Sequence, residues 1–116
     1  MRAVAESSRF DVPVPIEVRV AAADDALLSP AHACDSCWIA VHQFAGIDHE
    51  QYFRAVEEVL LGYGGRPHWG KRHFRTAADL SGAYPGWETF QAVRRRLDPG
   101  GTFTNDYVER VLGPPA

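Results

Sequence analysis

Strict alternation of apolar and polar residues marks the first element of the chain. Every second position from Val12 to Val20 is aliphatic, and Glu17 and Arg19 lie between them. A repeat of two residues is typical of a β-strand, because successive side chains point to opposite faces. Two prolines near its start lack a backbone N–H, so we expect that end to lie at a sheet edge or before the ladder begins.

A second strand is predicted over residues 37–44, after a loop of small and acidic residues at 24–36. Trp38, His42 and Phe44 share one face of this strand. A single histidine on a strand is most often a hydrogen-bonded core residue. His42 taken by itself therefore has two interpretations, a packing role and a chemical role.

Apolar residues recur at helical spacing in the rest of the chain. Asp48, with Gln51 three residues later, is typical of a capping box that opens a helix, and the glycines at 62, 64 and 65 end it. The segment Arg66–Lys71 is predicted to be short and extended. Three further helices are expected: one capped by Thr76 with Asp79, one over Trp87–Leu97, and one capped by Asn105.

The predicted order is β-β-α-β-α-α-α, which favours an α+β fold with helices packed on one face of a small antiparallel sheet. A chain of 116 residues forms one domain. We assign residues 12–116 to that domain. Residues 1–11 are polar and aperiodic, and we expect them to be disordered or frayed.

Composition excludes several functional classes. Hydrophobic residues make up 46% of the chain and charged residues 23%, which is ordinary for a globular protein. The net charge of −3 argues against a general nucleic-acid-binding protein. No apolar run is long enough to span a membrane, and the N-terminus lacks the apolar centre of a signal peptide. We therefore expect a cytoplasmic protein with reduced cysteines.

Common catalytic and nucleotide-binding motifs are absent from the sequence. It contains no G-x-S-x-G, no P-loop and no G-x-G-x-x-G. These motifs mark hydrolases, NTPases and classical dinucleotide-binding domains. None of those three classes is therefore supported.

Cys34 and Cys37 form a C-x-x-C pair, and His32 lies just upstream. A structural zinc site needs four ligands, and the fourth would have to come from His49 at a helix start. A redox-active pair normally follows a strand at the start of a helix, whereas this pair precedes a strand. Two free thiols in a loop are favoured over both alternatives, and we expect no bound metal.

Other residues carry weaker signals when each is taken singly. Glu17 and Arg19 share one strand face and need no function if that face lies in water. Trp69 is as consistent with packing as with ligand contact. Lys71 suits either an exposed turn or a fixed positive charge near a cofactor or a developing oxyanion. The run Arg94–Arg96 is typical of a solvated helix face from which one side chain reaches inward.

Four segments in order along the chain resemble the FAD-linked sugar-lactone and alditol oxidases of the vanillyl-alcohol oxidase superfamily, which include the D-arabinono-1,4-lactone and L-gulonolactone oxidases. The segments are PIEVRVAAADDALLSP at 15–30, WIAVHQF at 38–44, RPHWGK at 66–71 and YPGWETFQAVRRRLDPGGTFTNDYVERVLG at 84–113. The resemblance covers roughly residues 12–113. It implies the C-terminal substrate domain of a flavoenzyme whose flavin-binding domain is absent from this chain.

The resemblance also implies roles for particular side chains. Glu17, Arg19, His42 and Lys71 fall on the family's substrate-binding positions, and Arg19, His42 and Lys71 are the implied catalytic residues. Arg19 and Lys71 would stabilise the alkoxide that develops as a hydroxyl is oxidised. His42 would accept its proton, because the pKa of histidine lies near neutrality. Glu17 would orient Arg19 or accept a substrate hydroxyl.

FAD is the cofactor that the resemblance implies, with contacts from His68, Trp69, Lys71 and Asn105. The expected partners are a small sugar lactone or polyol and a flavin-binding domain encoded elsewhere. No nucleic acid is expected, and peripheral membrane association follows from family analogy only. The alternative function is a catalytically inactive α+β interaction module left by a truncated gene.

One geometric expectation follows for the four substrate-binding residues. If the two strands pair and the 66–71 segment lies across them, their functional atoms should lie within roughly 10 Å of a common point, the scale of a small-ligand pocket. The surface around Trp38, Phe44 and Trp69 should also be unusually apolar, as an uncovered interface would be.

Overall fold

The structure, a computed structural model, describes residues 12–114 together with Ala3 and Phe10. The expectation of a frayed segment at 1–11 falls almost entirely outside the described residues. Within them lie two strands and four helices, which confirms the α+β class. The elements are β1 (Glu17–Ala21), β2 (Ser36–Ala40), α1 (Glu50–Leu61), α2 (Ala77–Ser81), α3 (Trp87–Leu97) and α4 (Asp106–Leu112).

The two strands form an antiparallel sheet that is shorter than the alternating pattern suggested. Glu17 is opposite Ala40, and Arg19 is opposite Trp38. Continuing this register would place Pro15 opposite His42 and Pro13 opposite Phe44. Proline has no N–H to donate to a ladder, so pairing stops at Glu17 and β2 ends at Ala40.

The predicted third strand is wrong, because Arg66–Lys71 contains a turn. The backbone N–H of Lys71 donates to the carbonyl oxygen of His68 at 3.0 Å, and that of Gly70 donates to Nδ1 of His68 at 2.9 Å. Local hydrogen bonds of this kind compete with sheet pairing. The segment is therefore folded back on itself around His68.

Helix α1 begins one residue later than a cap at Asp48 would give. His49 occupies the N-cap position, and Asp48 instead accepts a hydrogen bond from the backbone N–H of Glu50 at 3.0 Å. The carboxylate thus closes a turn ahead of the helix. The glycine-rich end is as predicted: Gly64 has a φ of +71°, a conformation that favours glycine, and the N–H of Gly65 donates to Leu60.

The two other predicted caps are confirmed. The carboxylate of Asp79 accepts from the backbone N–H of Thr76 at 2.8 Å, which is the reciprocal contact of a capping box. The side-chain oxygen of Asn105 accepts from the backbone N–H of Val108 at 2.9 Å. Both helices therefore start where the sequence placed them.

Replacing Asn105 with alanine should lower the free energy of unfolding by about 1 kcal/mol, because the first turn of α4 loses its side-chain acceptor. The measurement is urea unfolding followed by circular dichroism. Asn105→Asp is the matched control, because it keeps an acceptor and places a negative charge at the helix N-terminus. Equal losses in the two variants would mean that the cap contributes nothing.

The core lies among the helices and not on the sheet. Leu80 of α2, Trp87 of α3 and Val111 of α4 meet around Tyr84, and Leu28 of the long loop packs against them. The loop approaches closely: a Cβ on Gly86 would lie 2.7 Å from the carbonyl oxygen of Leu27. Burial of these side chains is the main favourable contribution to folding.

The arginine run behaves as the sequence predicted. Arg95 and Arg96 are exposed, whereas Arg94 is half-buried. Its guanidinium donates to the carbonyl oxygens of Leu112 at 3.3 Å and Gly113 at 3.0 Å. Arg94 therefore satisfies the last carbonyls of α4 from the neighbouring helix, where a positive charge is also favoured.

Candidate functional site

Two of the four predicted substrate-binding residues, Arg19 and His42, lie against a third, Glu17. Glu17 at the start of β1 forms an ion pair with Arg19, and its other carboxylate oxygen lies 3.8 Å from Nε2 of His42. The side chains of Glu17, Arg19 and His42 are 38%, 76% and 44% exposed. All three thus sit at the surface, where water weakens the charge interactions between them.

The turn at 66–71 reaches the same face of the sheet. Arg19 and Trp38 are opposite each other in the register, so their side chains share a face. On that face the indole of Trp38 meets the ring of His68 edge-on, with centroids 5.6 Å apart. Lys71 follows three residues later and is exposed. The convergence of Lys71 with Glu17, Arg19 and His42 within roughly 10 Å stays a prediction.

Two of the residues expected to contact a cofactor also have structural roles. The indole N–H of Trp69 donates to the carbonyl oxygen of Leu28 at 2.7 Å, and its ring packs against Tyr84 with centroids 5.2 Å apart. Asn105 caps α4. Trp69 is therefore a packing anchor between the turn and the core. The cofactor contacts of His68, Trp69, Lys71 and Asn105 stay predictions.

A buried histidine that the sequence did not single out lies beside this turn. His73 is only 7% exposed, and its Nε2 lies 3.1 Å from the hydroxyl oxygen of Tyr107 in α4. The Tyr107 hydroxyl in turn donates to the carbonyl oxygen of Trp69. No pattern in the sequence marks His73, because it stands alone between Arg72 and Phe74. Its burial arises from the packing of distant segments.

Charged side chains tie the segment after the turn to α1 and α4. Glu57 of α1 accepts from the backbone N–H of Phe74 at 3.0 Å and from the guanidinium of Arg75 at 2.7 Å. Arg110 of α4 donates to the carbonyl oxygen of Arg75 at 2.6 Å. Burial, together with the positive charge of Arg110, lowers the pKa of His73 below its ordinary value of 6.5.

Arg66 anchors the start of the segment 66–71. Its guanidinium lies over the ring of Tyr84 and 3.3 Å from the carbonyl oxygen of His32, within reach of two further loop carbonyls. Burial raises the pKa of Tyr84 to about 12. The segment 66–71 is thereby attached to the loop at 24–36 and to the core through Arg66 and Trp69. His68, Gly70 and Lys71 in the same segment are exposed.

The cysteine pair lies at the surface. Cys34 and Cys37 are exposed free thiols, and Nδ1 of the neighbouring His32 is 3.0 Å from the carbonyl oxygen of Ala26. Among the described residues no group of three or more histidine, cysteine, aspartate or glutamate side chains is arranged to hold a metal ion. Within that same part of the chain, no helix is both long and apolar enough to cross a membrane.

Apolar residues at the surface extend beyond the polar cluster. Phe44, predicted to face outward near the site, is 59% exposed, and Trp38 and Trp69 are half-buried. The opposite face of β1 is also uncovered, with Val18 62% and Val20 85% exposed. A two-stranded sheet is marginally stable by itself, and an aliphatic strand face normally packs against other protein.

Comparison with known proteins places this arrangement in context. A family model described as D-arabinono-1,4-lactone oxidase matches residues 1–111. The chain is 62% identical over 100 residues to the L-gulono-1,4-lactone dehydrogenase of Mycobacterium tuberculosis, which covers 86% of this chain and 23% of that protein.

Two further relatives show the same partial coverage. The L-gulonolactone oxidase of Scyliorhinus torazame is 40% identical over 102 residues, covering 84% of this chain and 23% of that protein. The alditol oxidase of a Streptomyces species is 39% identical over 99 residues, covering 83% and 23%. The chain thus spans about a quarter of the length of the curated relatives that it matches.

Proposed function

This chain belongs to the D-arabinono-1,4-lactone oxidase family, and we propose that it supplies the substrate-side face of an FAD-dependent oxidoreductase acting on the CH–OH group of a sugar lactone or an alditol. The observation that carries the proposal is the cluster of Glu17, Arg19 and His42, joined through the Trp38–His68 contact to the turn that bears Lys71. A carboxylate, an imidazole and a cation on one face, with a second cation on the turn beside it, are suited to alcohol oxidation.

Each side chain has a role that its surroundings support. Arg19 and Lys71 are permanent cations suited to stabilise the alkoxide that forms as the substrate hydroxyl loses its proton. His42 takes that proton, because a neutral imidazole is a competent base near neutral pH. Glu17 contacts both Arg19 and His42, so it is placed to orient the guanidinium and the imidazole.

The residues present fit the substrate side of a flavin site better than its phosphate side. Bound FAD would supply the hydride acceptor, while the protein positions the substrate and sets the local charge. His68 lies beside the sheet face against Trp38, and Lys71 is exposed in the same turn, so both are suited to contact the cofactor. The proposal extends the cofactor contacts to Trp69 and Asn105. The sequence has no glycine-rich phosphate loop, which is the usual site for a pyrophosphate.

The chain alone should bind FAD with no saturation below about 0.1 mM and should oxidise none of its candidate substrates, because the pyrophosphate supplies much of the affinity of a dinucleotide. Flavin fluorescence titration measures the first outcome. The second is assayed with L-gulono-1,4-lactone, D-arabinono-1,4-lactone and an alditol, each with an artificial electron acceptor.

Turnover is expected when the chain is combined with the separately expressed part of the Mycobacterium tuberculosis relative that lies outside the matched segment. The relative rates on lactones and alditols would then identify the substrate class. Turnover by the isolated chain would contradict the proposal that this chain supplies the substrate side of the site and needs a separate flavin-binding part. A correctly folded mixture that binds FAD and oxidises nothing would favour the alternative, an inactive α+β interaction module.

A further inference from the structure

A chain of hydrogen bonds links the Lys71 turn to the last helix. The hydroxyl of Tyr107 in α4 donates to the carbonyl oxygen of Trp69, two residues before Lys71. On the other side of that hydroxyl, Nε2 of His73 lies 3.1 Å from its oxygen. The backbone N–H of Arg75 donates to Nδ1 of the same ring at 3.3 Å. Tyr107 of α4 therefore joins the turn, through Trp69, to the segment after it, through His73.

These contacts require one protonation state of the imidazole. A carbonyl oxygen only accepts, so the Tyr107 hydroxyl gives its proton to Trp69 and must accept from His73. Nε2 of His73 therefore carries a hydrogen. Nδ1 accepts from Arg75 and must be unprotonated. A neutral ring with its proton on Nε2 satisfies every bond, whereas a protonated ring would turn an N–H towards the N–H of Arg75.

The charges around His73 also disfavour its protonated form. Arg110 from α4 and Arg75 from the same segment are both positive, and they oppose a third cation. Glu57 from α1 favours it, but that carboxylate already accepts from Phe74 and from the guanidinium of Arg75. The ring is 7% exposed, so little water reaches it to stabilise a charge.

We propose that His73 and Tyr107 are positioning residues that hold the turn carrying Lys71 against α4, and that protonation of His73, which removes the ring's bond from the N–H of Arg75, displaces the ring and weakens this hold. That the turn matters for activity rests on the proposed function. That His73 and Tyr107 hold the turn against α4 is independent of it. The folded-state pKa of His73 lies below 6.5, so the hold is present at neutral pH and is lost as the pH falls through that lower value.

The test is amide hydrogen exchange by NMR on the full 116-residue chain, with no flavin and no substrate. The N–H of Lys71, which donates to His68, reports the turn. The N–H of Gly113, which donates to Glu109 at the end of α4, reports whether that helix is intact. Tyr107→Phe should reduce the protection of Lys71 about fivefold, the loss of one neutral hydrogen bond, and leave Gly113 within about twofold.

The pH dependence of Lys71 protection distinguishes a contact that His73 protonation weakens from one that does not respond to pH. In the unmodified chain the protection of Lys71 should fall as the pH is lowered below 6.5, in step with the NMR titration of the His73 ring. His73→Gln keeps an N–H donor for Tyr107 but does not titrate, so that step should disappear. His68 also bonds within the turn, through Nδ1, and it remains in every variant. Any pH dependence left in His73→Gln therefore does not come from residue 73.

Three results would overturn the proposal. The first is a Lys71 amide whose protection is unchanged by Tyr107→Phe. The second is a His73 ring that NMR shows with its proton on Nδ1 at neutral pH. The third is the same pH profile in His73→Gln as in the unmodified chain. None of these readouts depends on activity, so failure of the proposed oxidoreductase function would leave the test of the hold intact.

Discussion

Replacing Lys71 with alanine is expected to lower kcat/KM of the assembled enzyme at least about 100-fold, the size of effect seen when one fixed group that stabilises a developing oxyanion is removed. Lys71 is exposed on a turn and lies outside the core cluster. Its loss should therefore leave the free energy of unfolding within about 0.5 kcal/mol of the original value. A loss of activity without a loss of stability is the signature of a chemical role.

Arg72 provides the matched control for this substitution. It is the adjacent exposed cation, and its guanidinium contacts His49 at 2.6 Å. Arg72→Ala removes the same charge one residue away and should change kcat/KM less than about threefold, because long-range effects of exposed charges are screened. Lys71→Arg tests whether charge alone suffices. If Lys71→Ala and Arg72→Ala lowered kcat/KM equally, Lys71 would have no special role.

Replacing Leu80 with alanine is expected to lower the free energy of unfolding by about 2–5 kcal/mol, since a buried leucine loses its apolar contacts and leaves a cavity. Leu80 is 2% exposed at the centre of the cluster formed with Tyr84, Trp87 and Val111. Small domains have a total stability of about 5–15 kcal/mol, so this loss brings the chain close to unfolding at ambient temperature. Urea unfolding monitored by circular dichroism measures the change.

Leu97→Ala is the control for Leu80→Ala, because it makes the same chemical change at a position that is 71% exposed at the end of α3. It should alter the free energy of unfolding by no more than about 0.5 kcal/mol. A similar loss in both variants would contradict the placement of the core among the helices. It would instead indicate a general sensitivity of the chain to any lost leucine.

Local patterns in the sequence were sufficient to locate the helices, because the period of a helix and its caps depend on residues a few positions apart in the chain. The caps at Thr76 and Asn105 and the glycine end of α1 lie where short-range chemistry requires them. Asp48 shows the limit of this reasoning. Its carboxylate can close a turn one residue earlier with the same local hydrogen bond, so the boundary moved.

The candidate site was only partly accessible from the sequence. The strand period predicted that Glu17 and Arg19 share a face, and the structure adds His42 at 3.8 Å from Glu17. Nothing in the local pattern joined the turn to that face. The contact of Trp38 with His68 depends on two segments separated by the whole of α1, and its geometry comes only from their packing.

The turn at 66–71 replaced a predicted strand because His68 provides local hydrogen-bond acceptors for Gly70 and Lys71. Tertiary structure alone decided two other features. The sheet is short because the register, which pairs distant residues, brings the prolines into line with the end of β2. His73 is buried where side chains of α1 and α4, which are distant in the chain, lie close to it.

The sequence by itself determined the fold class, the helix starts to within a residue and the shared strand face of Glu17 and Arg19, because each depends on side chains a few residues apart. Which sheet face is covered, how the turn is held and what surrounds a single histidine depend on contacts between distant segments. Such contacts leave no periodic pattern in the sequence, so only the folded chain could supply them.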